Sequence, residues 1–188
     1  MSATHLLVMG FTQAWDSETG QERLWRKLRS TCPKDLVLDP IPWDANMKFA
    51  ARFIDRNTPP DSPLYGYFYS WGGGWFFPRV CKELQKLKRR FNTVVLCDAV
   101  SRTKWLPSWL PINFLSMTDI PKLVVPSNVD NVYWFRQQEN RPAGHRIVSA
   151  SSKTKIYPGR WMDVPHNVID DHKDYHNLAI KVASGELP

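Results

Sequence analysis

Hydrophobic and polar positions form two kinds of pattern along the chain, and the two alternate most regularly in its first half. Short runs that are apolar throughout are typical of strands buried on both faces of a sheet. Such runs predict strands at residues 5–9 (HLLVM), 35–39 (DLVLD), 63–69 (PLYGYFY), 93–100 (TVVLCDAV) and, further on, 131–135 (NVYWF). Other segments repeat apolar residues every three or four positions, which indicates amphipathic helices. They predict helices around residues 22–28, 46–56, 75–90 and 170–183.

The alternation of strands and helices predicts the fold class. Strands separated by crossover helices pair in parallel, so we expect an α/β protein with a mostly parallel sheet flanked by helices. The 188 residues suffice for one such domain, and residues 1–188 are expected to form a single unit. A segment rich in tryptophan and proline, at about 101–128, excludes a long regular element there.

Composition and charge narrow the class of protein. Hydrophobic residues at 43% and charged residues at 23% are typical of a globular protein. The net charge of +7 would suit an anionic partner. However, the densest basic run, residues 82–90, has the spacing of a solvated helix face, and no nucleic-acid-binding motif is evident. We therefore expect no nucleic-acid partner.

Cysteine usage and the lengths of the apolar runs bear on location. Three cysteines without paired spacing, Cys32, Cys81 and Cys97, favour free thiols in a reducing compartment. The N-terminal stretch lacks the basic region and cleavage site of a signal peptide. No apolar run reaches the roughly 18 residues needed to cross a bilayer. The sequence thus predicts a soluble, cytoplasmic protein with no membrane span.

The stretch 68–74 (FYSWGGG) places Ser70 between a predicted strand and a predicted helix. A nucleophile elbow needs this order, because its tight turn pushes the serine oxygen clear of the carboxyl edge of the sheet. The glycines would let the turn and the helix pack closely. A flexible glycine loop is the alternative, but it has no reason to fall between a buried strand and a helix. Ser70 is therefore the candidate nucleophile.

A serine nucleophile needs a base, and the base needs an acid to orient it. Asp98 directly follows a predicted strand, at the sheet edge where ligands gather; a cap or turn residue is its alternative role. His166 lies in a loop before the last predicted helix and can lean over that edge. His172 and His176 lie within the helix and are expected at the surface. We therefore assign Asp98 as the acid and His166 as the base.

The spacing of His172 and His176 also suits a metal ion. Their segment, HKDYH, lacks the glutamate of the zinc-protease pattern, and the sequence offers no convincing third ligand. We expect neither a metal nor another cofactor.

The chain order Ser70, Asp98, His166 is that of α/β-hydrolases, and the sequence resembles small bacterial lipase-like and esterase-like members of that superfamily. The resemblance lies in FYSWGG at the serine, in LCDAV after the next strand, and in the later stretches VPSNVDNVYWF and HNVIDDH. It extends from about His5 to the C-terminus and implies a minimal α/β-hydrolase-like fold. One position departs from the family: Phe68 stands two residues before the serine, where a glycine or another small residue is usual.

The same resemblance implies an oxyanion hole. The turn at residues 9–11 (MGF) matches the one that supplies one backbone amide, which would come from Phe11 or Thr12. Trp71, the residue after the nucleophile, would supply the second amide. Independently of the resemblance, Gly10 would let the backbone turn towards the substrate oxygen; an ordinary loop glycine is the alternative.

Three tryptophans are candidates for the substrate pocket. Trp105 and Trp109 belong to the tryptophan- and proline-rich segment, which leaves the sheet at the candidate site and could form a wall or lid. Trp15 is close to the expected oxyanion turn. The alternative for the segment is that it simply covers the core.

Together these residues predict a serine hydrolase that cleaves a small-molecule carboxylic ester through an acyl-enzyme, as esterases and lipases do. A thioesterase or acyltransferase would use the same three side chains. A second alternative is a non-catalytic binding protein on a degenerate hydrolase scaffold, which Phe68 and the basic charge favour.

Overall fold

A parallel β-sheet divides the protein into two helical layers. The computed structural model describes residues 2–11, 13, 18–101 and 122–186. The strands of the described ranges are β1 Thr4–Val8, β2 Leu36–Val37, β3 Leu64–Tyr69, β4 Phe91–Cys97, β5 Leu123–Val125, β6 Val129–Gln137, β7 Ile147–Ser149, β8 Lys155–Ile156 and β9 Arg160–Met162. The helices are α1 Gly20–Thr31, α2 Met47–Asn57, α3 Phe77–Lys86 and α4 Lys173–Ala183. A π-helical turn, Gly72–Phe76, leads into α3, and a 3₁₀ turn, Ile169–Asp171, comes shortly before α4.

The strand order determines where a ligand site is expected. The main sheet runs β2-β1-β3-β4-β6-β8, β9 also pairs with β6, and every pairing is parallel. From β1 the chain moves outward to β2 and then returns to the other side of β1 to form β3. The direction of winding therefore reverses between β1 and β3. In open α/β sheets, ligands bind at the carboxyl ends of the strands at such a reversal.

The two faces of the sheet carry separate hydrophobic cores. On one face, Leu6 and Phe68 pack with α2 and α3; on the other, Leu7 and Tyr67 pack with α1 and α4. Because neighbouring strand residues point to opposite faces, this arrangement explains why the central strands are apolar at almost every position. A typical buried side chain of this kind contributes roughly 1.5–3 kcal/mol.

Helix boundaries follow local capping. The Thr19 side chain accepts a hydrogen bond from the Glu22 N–H at 3.2 Å, and Glu22 accepts one in return from the Thr19 N–H at 2.8 Å. This capping box begins α1. Asn46 begins α2 in the same way, since its Oδ1 accepts a hydrogen bond from the Phe49 N–H at 3.0 Å.

The expected fold class is confirmed: the protein is α/β, with a mostly parallel sheet flanked by helices. The predicted strands and helices of the first half are present with boundaries shifted by a few residues. The short strands β5, β7, β8 and β9 were not predicted, because two or three residues carry no recognisable period. Within the described ranges, no helix combines the length and apolar character needed to span a membrane.

Candidate active site

Ser70 lies on a sharp turn between β3 and the π-helical turn. Its φ is 51°, a left-handed conformation that a non-glycine residue adopts at a cost of about 1–2 kcal/mol. Its carbonyl oxygen accepts hydrogen bonds from the N–H groups of Gly73, Gly74 and Val100, each at 3.0 Å. The bonds from Gly73 and Gly74 close the turn, and the bond from Val100 holds it against the loop after β4, so the strained backbone is maintained by its surroundings.

Close packing around this turn requires glycine. A Cβ added at Gly74 would lie 1.7 Å from the Val100 carbonyl oxygen, and one added at Gly10 would lie 2.8 Å from the Ser70 Cβ. The turn after β1 therefore approaches the serine, and the start of the helix approaches the loop after β4, more closely than a larger residue would allow. The three glycines of FYSWGGG are explained by these close approaches to the ends of β1 and β4.

Phe68 is accommodated beside the Ser70 turn. Its side chain is fully buried and packs against Phe77 and Phe91, with ring centroids 5.0 and 5.8 Å away. Gly66, on the same face of β3, leaves the space for the ring, since a Cβ there would lie 2.4 Å from it. The large residue two positions before the serine is thus compatible with a tight turn at Ser70.

The structure brings Ser70, His166 and Asp98 into one hydrogen-bonded line. The Ser70 Oγ lies 2.8 Å from His166 Nε2, and His166 Nδ1 lies 2.6 Å from Asp98 Oδ2. The Asp98 side chain is fully buried and that of His166 is 12% exposed. A carboxylate only accepts hydrogen bonds, so Nδ1 carries the imidazole proton and Nε2 is free to accept from the serine hydroxyl.

Two residues hold the backbone of His166 in place. The His166 N–H donates to Asn140 Oδ1 at 2.8 Å, and the Tyr69 hydroxyl donates to the His166 carbonyl oxygen at 2.5 Å. The Tyr69 ring also stacks on the imidazole, with centroids 5.1 Å apart. Sequence reasoning missed both residues, although Tyr69 is the last residue of β3 and directly precedes Ser70.

Asp98 is oriented by the loop that follows β6. Its Oδ1 accepts hydrogen bonds from the Gly144 N–H at 2.7 Å and the Gln137 N–H at 3.2 Å. Its Oδ2 accepts from Gln137 Nε2 at 3.0 Å as well as facing His166. Gln137 ends β6 at the carboxyl edge of the sheet, so the rule that pointed to Asp98 could also have indicated Gln137.

The expected oxyanion turn is linked to the loop of the histidine. The Gly10 N–H donates to Gln13 Oε1 at 2.9 Å, and Gln13 Nε2 donates to Asp170 Oδ2 at 2.6 Å. Asp170 also accepts from the Gln21 N–H at 3.1 Å, at the start of α1. Burial raises the pKa of Asp170 to about 6, despite the lowering effect of the Gln13 hydrogen bond. Sequence reasoning missed this connection, because Gln13 and Asp170 are far apart in the chain.

An aromatic cluster lies beside the serine turn. Phe11 and Trp71, the two described residues of the expected oxyanion hole, have ring centroids 4.5 Å apart, and Trp43 lies 4.8 Å from Trp71. Trp71 begins the helical segment directly after Ser70. Four further expected residues lie outside the described ranges: Thr12 of the oxyanion hole and Trp15, Trp105 and Trp109 of the pocket.

One histidine assignment was wrong. His176 is buried rather than at the surface: its Nε2 lies 2.8 Å from the Asp170 carbonyl oxygen and its Nδ1 lies 2.9 Å from Lys27 Nζ. Burial lowers its pKa, and the Lys27 charge lowers it further. His172 is half-buried and caps α4, accepting a hydrogen bond from the Asp174 N–H at 3.2 Å. The two histidines therefore have separate structural roles.

Comparison with known proteins adds no assignment of function. No protein-family model matches the sequence, and no curated protein is significantly similar to it. The chemistry of the site is therefore inferred from its geometry.

Proposed function

We propose that this protein is a serine hydrolase of the α/β-hydrolase type that cleaves carboxylic esters. The observation that carries the proposal is the hydrogen-bonded line from Ser70 Oγ through the His166 imidazole to Asp98, with distances of 2.8 and 2.6 Å. Nucleophile, base and orienting acid are each within the distance that proton transfer requires.

Acylation follows from the tautomer of His166. The imidazole accepts the Ser70 proton at Nε2 while Ser70 Oγ attacks the ester carbonyl carbon, and the carbonyl oxygen takes the negative charge. The Asp98 carboxylate stabilises the imidazolium through Nδ1–H. The imidazolium then gives its proton to the leaving alkoxide as the C–O bond breaks, which releases the alcohol and leaves an acyl-serine.

Deacylation repeats these steps with water. His166 Nε2 removes a proton from a water molecule, whose oxygen attacks the acyl carbon. Collapse of the second tetrahedral intermediate returns the proton to Ser70 Oγ and releases the carboxylic acid. We assign the Trp71 amide, with that of Phe11 or Thr12, to the stabilisation of the oxyanion.

Strand topology supports the choice of superfamily. Ser70 follows β3 and Phe11 follows β1, on either side of the point where the sheet reverses direction. The left-handed φ of 51° at Ser70 supports the proposal, because a nucleophile elbow requires a strained turn at its serine. The aromatic side chains of Phe11, Trp43 and Trp71 favour a substrate with an apolar acyl group.

The test combines hydrolysis and covalent labelling. Purified wild type should hydrolyse short-chain nitrophenyl esters and react with a fluorophosphonate probe. Ser70→Ala should lose labelling and lower turnover by roughly 10⁴-fold or more. Ser184→Ala, at an exposed serine on the end of α4, is the control and should behave as wild type.

A negative outcome has a defined meaning. Folded wild type that neither hydrolyses esters nor reacts with the probe would support the non-catalytic binding protein. Labelling that persists in Ser70→Ala would exclude Ser70 as the nucleophile. Faster turnover of nitrophenyl thioesters than of the matched esters would favour a thioesterase.

A further inference from the structure

A second group of chemically active side chains lies towards the opposite end of the sheet from Ser70. His5 is the second residue of β1, Cys32 caps the end of α1, and Asp35 precedes β2. One ligand atom from each lies within 4.8 Å of those of the other two. The three residues therefore converge from separate elements, although 27 or more positions separate His5 from the other two in the chain.

Two of these side chains, those of His5 and Asp35, have a second polar atom that contacts a group outside the cluster. The Tyr67 hydroxyl donates to the Ala179 carbonyl oxygen at 3.4 Å and lies 3.1 Å from His5 Nδ1, so its oxygen can accept the Nδ1 proton. Asp35 Oδ1 accepts a hydrogen bond from the Ala3 N–H at 2.8 Å. Metal-binding histidines and carboxylates are typically oriented by such outer hydrogen bonds.

The inner atoms face one another across a short distance. His5 Nε2 lies 3.0 Å from Asp35 Oδ2 and donates a hydrogen bond to it when the imidazole proton is on Nε2. A divalent cation between the two atoms would replace this proton, and the imidazole would then carry its proton on Nδ1, facing the Tyr67 oxygen. A tetrahedral zinc ion, with bonds of about 2.0–2.1 Å to nitrogen and oxygen, would hold the two atoms roughly 3.3 Å apart. For this pair of atoms, a shift of a few tenths of an ångström is sufficient, and Cys32 Sγ lies within 4.8 Å of both.

Access and charge also suit a divalent ion. Cys32 and Asp35 line an open pocket of about 470 Å³, to which Asp39 contributes a further carboxylate. Arg29 is the one basic side chain among the described residues that line it, and its guanidinium stacks on the Trp25 ring 4.9 Å away. A Cys32 thiolate and the Asp35 carboxylate would together balance the two positive charges of the ion.

We propose that His5 Nε2, Cys32 Sγ and Asp35 Oδ2 bind a zinc ion, with water from the pocket as the fourth ligand. Sulfur, imidazole and carboxylate together are a ligand set that zinc accepts. β2 pairs with β1 through two residues at the edge of the sheet, so the ion would fasten this edge to β1 and α1. The site does not depend on the chemistry proposed for Ser70.

The test uses cobalt as a spectroscopic substitute for zinc. Protein treated with a chelator and kept reduced with a phosphine is titrated with Co²⁺. We expect one equivalent to produce a thiolate-to-cobalt charge-transfer band and the visible bands of a tetrahedral ion, and Zn²⁺ to abolish both. Cys81 and Cys97 are fully buried in the hydrophobic cores, so the charge-transfer band reports on Cys32.

Variants separate metal binding from a structural role. Cys32→Ser should lose the charge-transfer band, and Tyr67→Phe should keep it with affinity reduced by about 10–100-fold. His172→Gln is the control and should bind like wild type. Zinc should raise the melting temperature of wild type but not that of Cys32→Ser. No band in wild type, or a band that persists in Cys32→Ser, would overturn the proposal.

Discussion

Ser70 and Asp98 adopt the same left-handed backbone conformation at the carboxyl ends of two neighbouring strands, with φ of 51° and 44°. The Ser70 N–H donates to the Cys97 carbonyl oxygen of β4 at 3.0 Å, and the Asp98 N–H donates to the Phe135 carbonyl oxygen of β6 at 2.9 Å. The strand ladder thus continues to the last residue before each turn. Both turns then direct a polar side chain towards His166, at a cost in backbone strain.

The strain at Ser70 predicts that Ser70→Gly is more stable than Ser70→Ala. Both variants lack the hydroxyl, but glycine adopts a φ of 51° without the steric penalty that alanine keeps. We expect a difference of about 1 kcal/mol in the free energy of unfolding, measured by urea denaturation. Equal stability of the two variants would show that the turn is relaxed.

Replacing Asp98 by asparagine should abolish turnover while the fold is kept. Four N–H donors surround the two oxygens of Asp98, and the amide group of asparagine would face one of them. If the asparagine NH2 group lies opposite His166 Nδ1, it would favour the tautomer of His166 that is protonated on Nε2. This tautomer cannot accept the Ser70 proton. We expect kcat to fall by roughly 10⁴-fold, with an unchanged circular dichroism spectrum. A loss of less than tenfold would contradict the role assigned to Asp98.

Asn140→Ala should weaken catalysis by misplacing His166. The variant removes the acceptor of the His166 N–H, which lies 2.8 Å away, and a displacement of about 1 Å in a catalytic group can cost up to roughly 100-fold in rate. We expect kcat to fall with little change in KM. Tyr69→Phe removes the other anchor of the same backbone and should have a similar effect.

Because both anchors hold one segment, the double variant Asn140→Ala, Tyr69→Phe should deviate from additivity. Asn177→Ala, at an exposed position on α4, is the matched control. If Asn140→Ala raised KM alone, Asn140 would contribute to substrate binding rather than to the position of the base.

Asp170 should make the stability of the protein dependent on pH. Its pKa is raised to about 6 in the folded protein, mainly by burial. The pKa of an aspartate in the unfolded chain is about 4. Between about pH 4 and pH 6, Asp170 is therefore mostly protonated in the folded state and mostly ionised in the unfolded state, so stability falls as pH rises. Asp170→Asn lacks this dependence.

The comparison of wild type with Asp170→Asn is made by urea denaturation between pH 4 and pH 7.5. Relative to the variant, wild type should lose stability on the order of 3 kcal/mol at most over this interval. Parallel stability curves would show that the Asp170 carboxyl titrates normally. Activity measured on the same samples reports whether the link through Gln13 to Gly10 also affects the expected oxyanion turn.

Several parts of the site were accessible from local sequence. Ser70 and Asp98 each follow a buried apolar run directly, so the position of the strand ends already placed them at the same edge of a parallel sheet. His166 could be chosen among the histidines because it lies outside the helical pattern. Phe68 looked unfavourable in isolation, since its accommodation depends on Gly66 and on two rings from α3 and β4.

The sequence by itself determined the α/β class, the main strands and helices, and the candidate nucleophile, acid and base, because apolar periodicity and strand ends are local signals. The tertiary structure alone decided how the base is held by Asn140 and Tyr69, that His176 is buried, and that His5, Cys32 and Asp35 converge. These contacts join residues that are distant in the chain, or depend on which side of an element faces its neighbour. Their energies arise from packing and hydrogen bonds that form once the sheet has brought the segments together.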